Sequence, residues 1–261
     1  MIKNKTILEV ADRLRKAQEN KKPCSPIRDL INENDIESAY AVQSINNDFF
    51  VSQGAKIVGY KIGLTSEAVR KQFGINEPDF GRLFDNGEII SGSEIPIHEI
   101  MQPKVEGEVA FVLKKKLDFG TYDMTNIISA VDYVLVSIEV LGSRIDNWDI
   151  RLSDSIADNA SASHWVVGKK KVKLETLDLV NCKMKMKKNG IVVSKGSGAS
   201  CLGTPLNSLL WLSKTFAKFG ETMKAGDLIL SGAIGQVVDV AQGDYIEVEI
   251  EGLGGASLKF T

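Results

Sequence analysis

The sequence predicts an α+β fold, with a helical region at the N-terminus and a mainly β remainder. Three observations lead there. Over roughly the first 60 residues, apolar side chains recur at helical spacing. From about residue 88 onward, short runs rich in β-branched and aromatic residues are divided by turn residues. At 261 residues, 43% apolar and 25% charged, the chain is sized and composed like a soluble globular enzyme of one large domain. The expected division is 1–60 as a helical region packed on the core and 61–261 as a mixed-β domain.

The elements follow in order. Ile7, Val10, Ala11, Leu14 and Ala17 share one helical face, with Thr6 placed to cap it. The stretch from Pro23 to Pro26 breaks that helix. A second starts near Asp35, carries Ile36, Ala39, Tyr40 and Phe50, and stops at Gly54. Residues 55–64 read as a strand closing on a glycine turn, and 66–73 as a short helix. Strands are then expected at 88–90, 105–113, 132–140, 163–168, 181–187 and 191–194. One helix interrupts them, capped by Thr204, opened by Pro205 and stopped by Gly220. Gly226-Asp227 and Gly243-Asp244 open the last strands, at 229–230 and 245–251. In the latter, Ile246, Val248 and Ile250 alternate with Glu247, Glu249 and Glu251, so one face is wet.

Composition excludes several classes. A net charge of −2 argues against nucleic acid or an anionic membrane as the main partner. Lysine clusters at 114–116, 169–171 and 183–188 fall at turns or strand edges, where solvated lysines are expected. Cys24, Cys182 and Cys201 are odd in number and lack CxxC spacing, which points to neither a disulfide framework nor a zinc site. The N-terminus has no apolar signal core, and no run reaches the ~20 apolar residues of a membrane span. The expected location is the cytoplasm. His98 and His164 read as a surface and a loop histidine, with no nucleophile elbow, P-loop or dinucleotide fingerprint nearby.

Three glutamates carry the strongest chemical signal. Glu106 and Glu108 flank a glycine in the apolar strand 105–113, and side chains at i and i+2 share a face, about 6–7 Å apart at Cα. Glu139 ends a second apolar strand. Carboxylates buried unpaired cost several kcal/mol each, so a positive partner is required. With only two histidines in the chain, a hard divalent cation on oxygen ligands, Mg²⁺ or Mn²⁺, is the natural candidate. An exposed pair on an edge strand fits the same pattern.

Other positions allow two readings each. Lys61, after the apolar stretch 57–60, fits a snorkelling strand-end lysine or one that serves an anionic substrate. Asp79, in a loop beside Phe80, fits a turn residue after Pro78 or a base with a raised pKa. The polar run 154–161 lacks helical periodicity and suits an active-site loop. The glycine-rich 231–235 suits a plain turn or an anion nest of backbone amides.

Together, Val58-Gly59-Tyr60-Lys61-Ile62-Gly63-Leu64-Thr65, Pro78-Asp79-Phe80-Gly81, Val105-Glu106-Gly107-Glu108-Val109-Ala110, Ile138-Glu139-Val140, and Ala157-Asp158-Asn159-Ala160-Ser161 before Val166-Val167-Gly168 carry a resemblance. In this order they resemble the 2-hydroxypentadienoate (2-oxopent-4-enoate) hydratase and 4-oxalocrotonate decarboxylase family, of the fumarylacetoacetate hydrolase superfamily. The resemblance runs from about residue 36 to the C-terminus. It implies a mixed, distorted β-sheet core of the fumarylacetoacetate hydrolase C-terminal type. It implies Mg²⁺ or Mn²⁺ held by Glu106, Glu108 and Glu139, chelating the substrate's carboxylate and 2-oxo group. Lys61 and Asp79 match positions of proton transfer and water activation, while Leu64, Ser161, Ser231 and Gly232 match positions near the substrate.

The implied reaction is hydration of 2-hydroxypenta-2,4-dienoate, or a close analogue, to 4-hydroxy-2-oxopentanoate in aromatic meta-cleavage catabolism. The Pro78–Gly81 segment and residues 200–207 resemble the hydratases. Decarboxylation of 4-oxalocrotonate is the nearest rival. Acylpyruvate-type C–C hydrolysis is a further one, and asks for a His–carboxylate pair. A non-enzymatic metal-stabilised protein is the fourth reading. A homo-oligomer, and a complex with a partner pathway enzyme, also follow from the resemblance. Three departures bear on the pocket: Thr204 stands where a histidine is usual, Ser231 where a threonine is, and His164-Trp165 where residues are small.

Overall fold

In the computed structural model, residues 2–67, 70, 77–118 and 122–261 are described. Helices α1 (Ile2–Glu19) and α2 (Ile36–Ser52) lead into β1 (Ile57–Gly63), β2 (Asp79–Phe84), β3 (Glu88–Ile90) and β4 (Glu94–Ile95). Next come β5 (Lys104–Leu113), α3 (Met124–Ala130), β6 (Val131–Leu141), α4 (Leu152–Ala157), β7 (Ala162–Val167), β8 (Lys183–Lys188) and β9 (Ile191–Ser197). The chain ends with α5 (Pro205–Phe219), β10 (Leu228–Ala233), β11 (Val238–Asp239), β12 (Tyr245–Ile250) and β13 (Gly254–Phe260). The α+β expectation holds.

The strands form two sheets. The larger runs β2-β1-β10-β5-β6-β7-β3, with β11 also on β5; β1–β10 and β3–β7 pair parallel and the others antiparallel. The smaller runs β4-β13-β12-β8-β9. Its apolar residues Ile246, Val248, Ile250 and Met184 share one core with Val105, Val109, Phe111, Val136 and Ile138 of the larger sheet. Contact is close at Gly107, where an added Cβ would lie 3.1 Å from Val248 and 3.2 Å from Met184. Helix α5 supplies Leu209, Leu212 and Phe216 to the same core.

The N-terminal helices make a second apolar cluster, in which Val10, Leu14, Ile27, Ala39 and Val42 meet Ile145, Ile156 and Ala157. Polar ties reinforce it. Ile27 N–H donates to Asp154 Oδ1 at 2.9 Å, Arg28 pairs with Asp154, and Gln43 Nε2 donates to the carbonyls of Phe80 (2.8 Å) and Ile156 (2.9 Å). Arg144 pairs with buried Asp158 just beyond α4. No described helix is long and apolar enough to cross a membrane.

Several local expectations need correction. Helix α1 starts at Ile2, so Thr6 lies within it and does not cap it. Asp79 opens strand β2 and is not in a loop; β2 extends the larger sheet beside β1. The run 154–161 is not a loop throughout, since its first part is helix α4. His164 lies on β7, not in a loop. Thr204 occupies the N-cap of α5, but its side chain makes no capping hydrogen bond. The helix expected at 66–73 falls largely outside the described residues. Strands β2, β4, β11 and β13 and helix α3 were not anticipated.

Candidate metal centre

Register puts the acidic residues together. Across the antiparallel β5–β6 ladder, Glu106 faces Glu139 and Glu108 faces Ser137. On the other side of β5, Ala110 pairs with Leu230 of β10, which pairs with Lys61 of β1; Gly63 of β1 pairs with Asp79 of β2. Laterally paired residues share a sheet face. Lys61, Asp79, Glu106, Glu108 and Glu139 therefore project from one face, near one end of the sheet. The same face continues away from them as the apolar cluster of Leu83, Ala110, Leu135, Trp165, Leu228 and Leu230.

The three glutamates each offer a carboxylate oxygen, all within 4.8 Å of one another. Glu108 and Glu139 are buried, while Glu106 keeps a partly exposed edge. Glu108 Oε2 accepts the Gly232 N–H at 2.8 Å, but Glu108 Oε1 and Glu139 Oε2 find no donor. Burial and the charge of Glu139 push the Glu106 carboxyl up to about 7. Burial, then the charges of Glu139 and Glu106, pushes Glu108 well above the usual range. Burial also raises Glu139, against the pull of Lys61. One ammonium does not neutralise three converging carboxylates. An all-oxygen donor set with spare lone pairs in a buried setting suits a hard divalent cation.

Lys61 Nζ sits 3.1 Å from Glu139 Oε1 and donates to the Ala160 carbonyl at 2.9 Å. Burial draws its pKa down, but Glu139, Asp79, Glu106 and Glu108 more than offset this and keep it protonated. The Ala160 carbonyl belongs to an arch in which Asn159, Ala160 and Ser161 all have left-handed backbones, with φ of 55°, 50° and 55°. Such conformations cost roughly 1–3 kcal/mol per non-glycine residue and persist only where surroundings enforce them. Asn159 provides that enforcement by pairing with the Arg82 backbone, accepting its N–H at 2.8 Å and donating to its C=O at 2.9 Å.

Asp79 Oδ2 accepts the Ser155 hydroxyl at 2.6 Å, while Oδ1 has no hydrogen-bond partner. Burial raises the Asp79 pKa, against the effects of Lys61 and Ser155. Between the two side chains lies Gly63. A Cβ there would collide with Asp79 Oδ1 and stand 3.2 Å from Lys61 Nζ. Gly63→Ala is expected to cut turnover about 10- to 100-fold, since small displacements of reacting groups are costly. Steady-state kinetics beside a thermal melt checks this, with a melting shift much smaller than the activity loss.

The remaining expected residues cluster at the same end. Leu64, half-buried and left-handed at φ 57°, follows Gly63, and its carbonyl accepts the Arg70 guanidinium at 2.8 Å. The buried Ser161 hydroxyl has no partner. Ser231 is buried on β10, where its carbonyl accepts the Cys201 thiol at 3.0 Å. Gly232 does not offer a free anion nest, because its N–H is taken by Glu108. A side chain at Gly232, φ +104°, would run into Thr65.

Trp165 packs on the Glu139 face within the apolar cluster. His164, one residue earlier, lines a separate cleft of about 350 Å³ with Lys21, Glu99 and Arg144. Its Nδ1 lies 2.8 Å from Ser163 Oγ, and burial lowers its pKa. Sequence reasoning missed Ser155 and Gly63. Ser155 is 76 residues from its partner, and no spacing signal links them.

Comparison with known proteins is consistent with this arrangement. Residues 68–260 match the fumarylacetoacetate (FAA) hydrolase C-terminal family. TodF product hydratase of Pseudomonas putida (strain F1) is 44% identical over 254 residues, covering 97% of this chain and 95% of that protein. A 2-keto-4-pentenoate hydratase of Paraburkholderia xenovorans (strain LB400) is 43% identical over 97% of this chain and 94% of that protein. The solved structure of 4-oxalocrotonate decarboxylase from Pseudomonas putida G7, complexed with magnesium and adipate, superposes with a TM-score of 0.95 at 34% identity, over 99% of this chain and 98% of that one.

Proposed function

The chain belongs to the 2-keto-4-pentenoate hydratase family, within the fumarylacetoacetate hydrolase superfamily, and from that premise we propose that it hydrates 2-hydroxypenta-2,4-dienoate or a close analogue to 4-hydroxy-2-oxopentanoate. The observation that carries the reading is the convergence of Glu106, Glu108 and Glu139 beside Lys61 and Asp79 on one sheet face. The identity to hydratases, 44% against 34% to the decarboxylase, favours water addition over decarboxylation.

Glu106, Glu108 and Glu139 would hold Mg²⁺ or Mn²⁺. Bound there, the ion would supply Lewis acidity to the carboxylate and 2-oxygen of the substrate. The chain's own groups do the rest. Lys61, held protonated, places an ammonium where negative charge develops when the dienol ketonises. The 2-hydroxyl gives up its proton as C5 gains one, which leaves a double bond conjugated to the ketone, and water adds at C4. Asp79 Oδ1, buried and unpartnered, would take the proton of that water and return it at C3. Ser161 offers its unpartnered hydroxyl, and Leu64 its apolar surface, beside the substrate. Gly232 acts from behind, its N–H holding Glu108 in place, and Ser231 would lie near the substrate carboxylate.

The C–C hydrolase reading lacks its histidine–carboxylate pair among the described residues at this site, since His164 lies in another cleft. The deciding assay follows loss of the dienol absorbance with parallel CO₂ detection, for the monoacid and for the 2-oxo-dienedioate. Hydration of the monoacid without CO₂ is expected. CO₂ from the diacid, with the monoacid untouched, would make the protein a decarboxylase.

A further inference from the structure

We infer that Ser155 is a positioning residue that sets which oxygen of Asp79 is free to exchange a proton; the inference rests on the hydratase reading. Both side chains are buried, and Ser155 Oγ donates to Asp79 Oδ2 at 2.6 Å. That bond occupies one oxygen and leaves Oδ1 unpartnered beside Gly63, on the side of the Lys61 ammonium. An aspartate carboxylate turns about a broad, roughly two-fold χ2 torsion, so the side chain alone does not hold one oxygen forward. The hydroxyl does.

Helix α4, which carries Ser155, is itself fastened on both sides of it. Asp154 accepts the N–H of Ile27 at 2.9 Å and of Arg151 at 2.8 Å, and pairs with Arg28. On the other side, the Ile156 carbonyl accepts Gln43 Nε2 at 2.9 Å. These bonds use backbone groups and Asp154, and none involves the Ser155 hydroxyl. Among the described charged and titratable groups, Lys61 on β1 lowers Asp79, and the Asp79 charge in turn bears on Tyr40 on α2, Glu106 on β5 and Glu139 on β6. Removing a donor to the charged carboxylate raises its pKa, so the acid limb of a base-dependent rate moves to higher pH.

The test uses the Mg²⁺-loaded protein and two readouts across pH: hydration of 2-hydroxypenta-2,4-dienoate, and hydrogen–deuterium exchange at C3 of 2-oxopentanoate followed by NMR. Ser155→Ala should lower kcat and the exchange rate about 10- to 100-fold, leave KM within about twofold, and shift the acid limb upward. Ser155→Thr, which keeps the hydroxyl, should recover most of both rates. Ser153→Ala, on the same helix but not bonded to Asp79, should behave as wild type. Should the alanine variant melt below the assay temperature, Ser155→Cys, with a weaker donor of similar size, should fall between wild type and alanine at lower temperature. Unchanged rates and pH profile in Ser155→Ala, equal losses in the alanine and threonine variants, or a wild-type protein that exchanges nothing would each overturn the inference. Ser155-dependent exchange in a protein that never hydrates the dienoate would instead overturn the hydratase reading alone.

Discussion

Glu106→Gln is expected to lower turnover by at least about a thousandfold while the chain stays folded, because on the proposed reading it removes one ligand to the ion. The amide keeps the size of the side chain and one oxygen but gives up the charge. Its effect on stability should change sign with the metal. Without divalent ions, burial and then the charge of Glu139 push the Glu106 carboxyl up to about 7, so its negative charge is costly to hold. Removing one charge therefore raises the melting temperature of the metal-free protein. Adding Mg²⁺ then raises it less than in wild type, since the gain follows RT ln(1 + [L]/Kd) and Kd has weakened. Melts with chelator and with Mg²⁺, beside Mn²⁺ titration calorimetry, measure both arms. Equal Mg²⁺-dependent shifts in variant and wild type would mean that Glu106 is no ligand.

Lys61→Met should show the opposite stability pattern with a similar loss of activity. The ammonium lies 3.1 Å from Glu139 and is the nearest positive charge to the cluster among the described residues. Breaking a buried ion pair by deleting one partner costs about 3–5 kcal/mol, because the remaining charge stays buried. The metal-free variant should melt well below wild type. Mg²⁺ then supplies much of the missing positive charge, so its stabilising increment should exceed that of wild type. Turnover should still fall about a thousandfold, because charge that develops on substrate loses its ammonium partner. A variant with wild-type kcat would remove Lys61 from the chemistry.

Much of this site was legible where strand periodicity alone decides geometry. Glu106 and Glu108 share a face because they stand two apart, and Glu139 follows the same rule on β6. What local sequence does not encode is lateral register, which makes Glu106 the direct neighbour of Glu139. Asp79 was misplaced in a loop because an aspartate after Pro78 reads as a turn residue. In the fold, Gly81 is small because an added Cβ would strike the Asn159 backbone, a contact that no local pattern announces. Helix α4 was hidden for a related reason. Ser153, Asp154 and Ser155 are buried beside Ile156 and Ala157, so no polar face alternates with an apolar one. Its polar groups find partners from distant segments, among them Ile27, Arg28 and Asp79. Helix α3 is one short element, and its Asp123–Asn126 capping box is a signal the reading passed over.

The alternating glycines of β1 work as a keyed lock. At Gly59 an added Cβ would strike the Leu228 backbone, and at Gly63 it would strike Asp79, while Tyr60 and Ile62 fill the opposite core. Sliding β1 by one residue would drive Tyr60 into the gap at 59 or Ile62 into that at 63, according to direction, and carry Lys61 away from the carboxylates. A chain mispaired here would leave those large side chains without room. Quality control of the catalytic centre is thus delegated to strand pairing itself, and soluble, well-folded protein should arrive with its ion cradle already assembled.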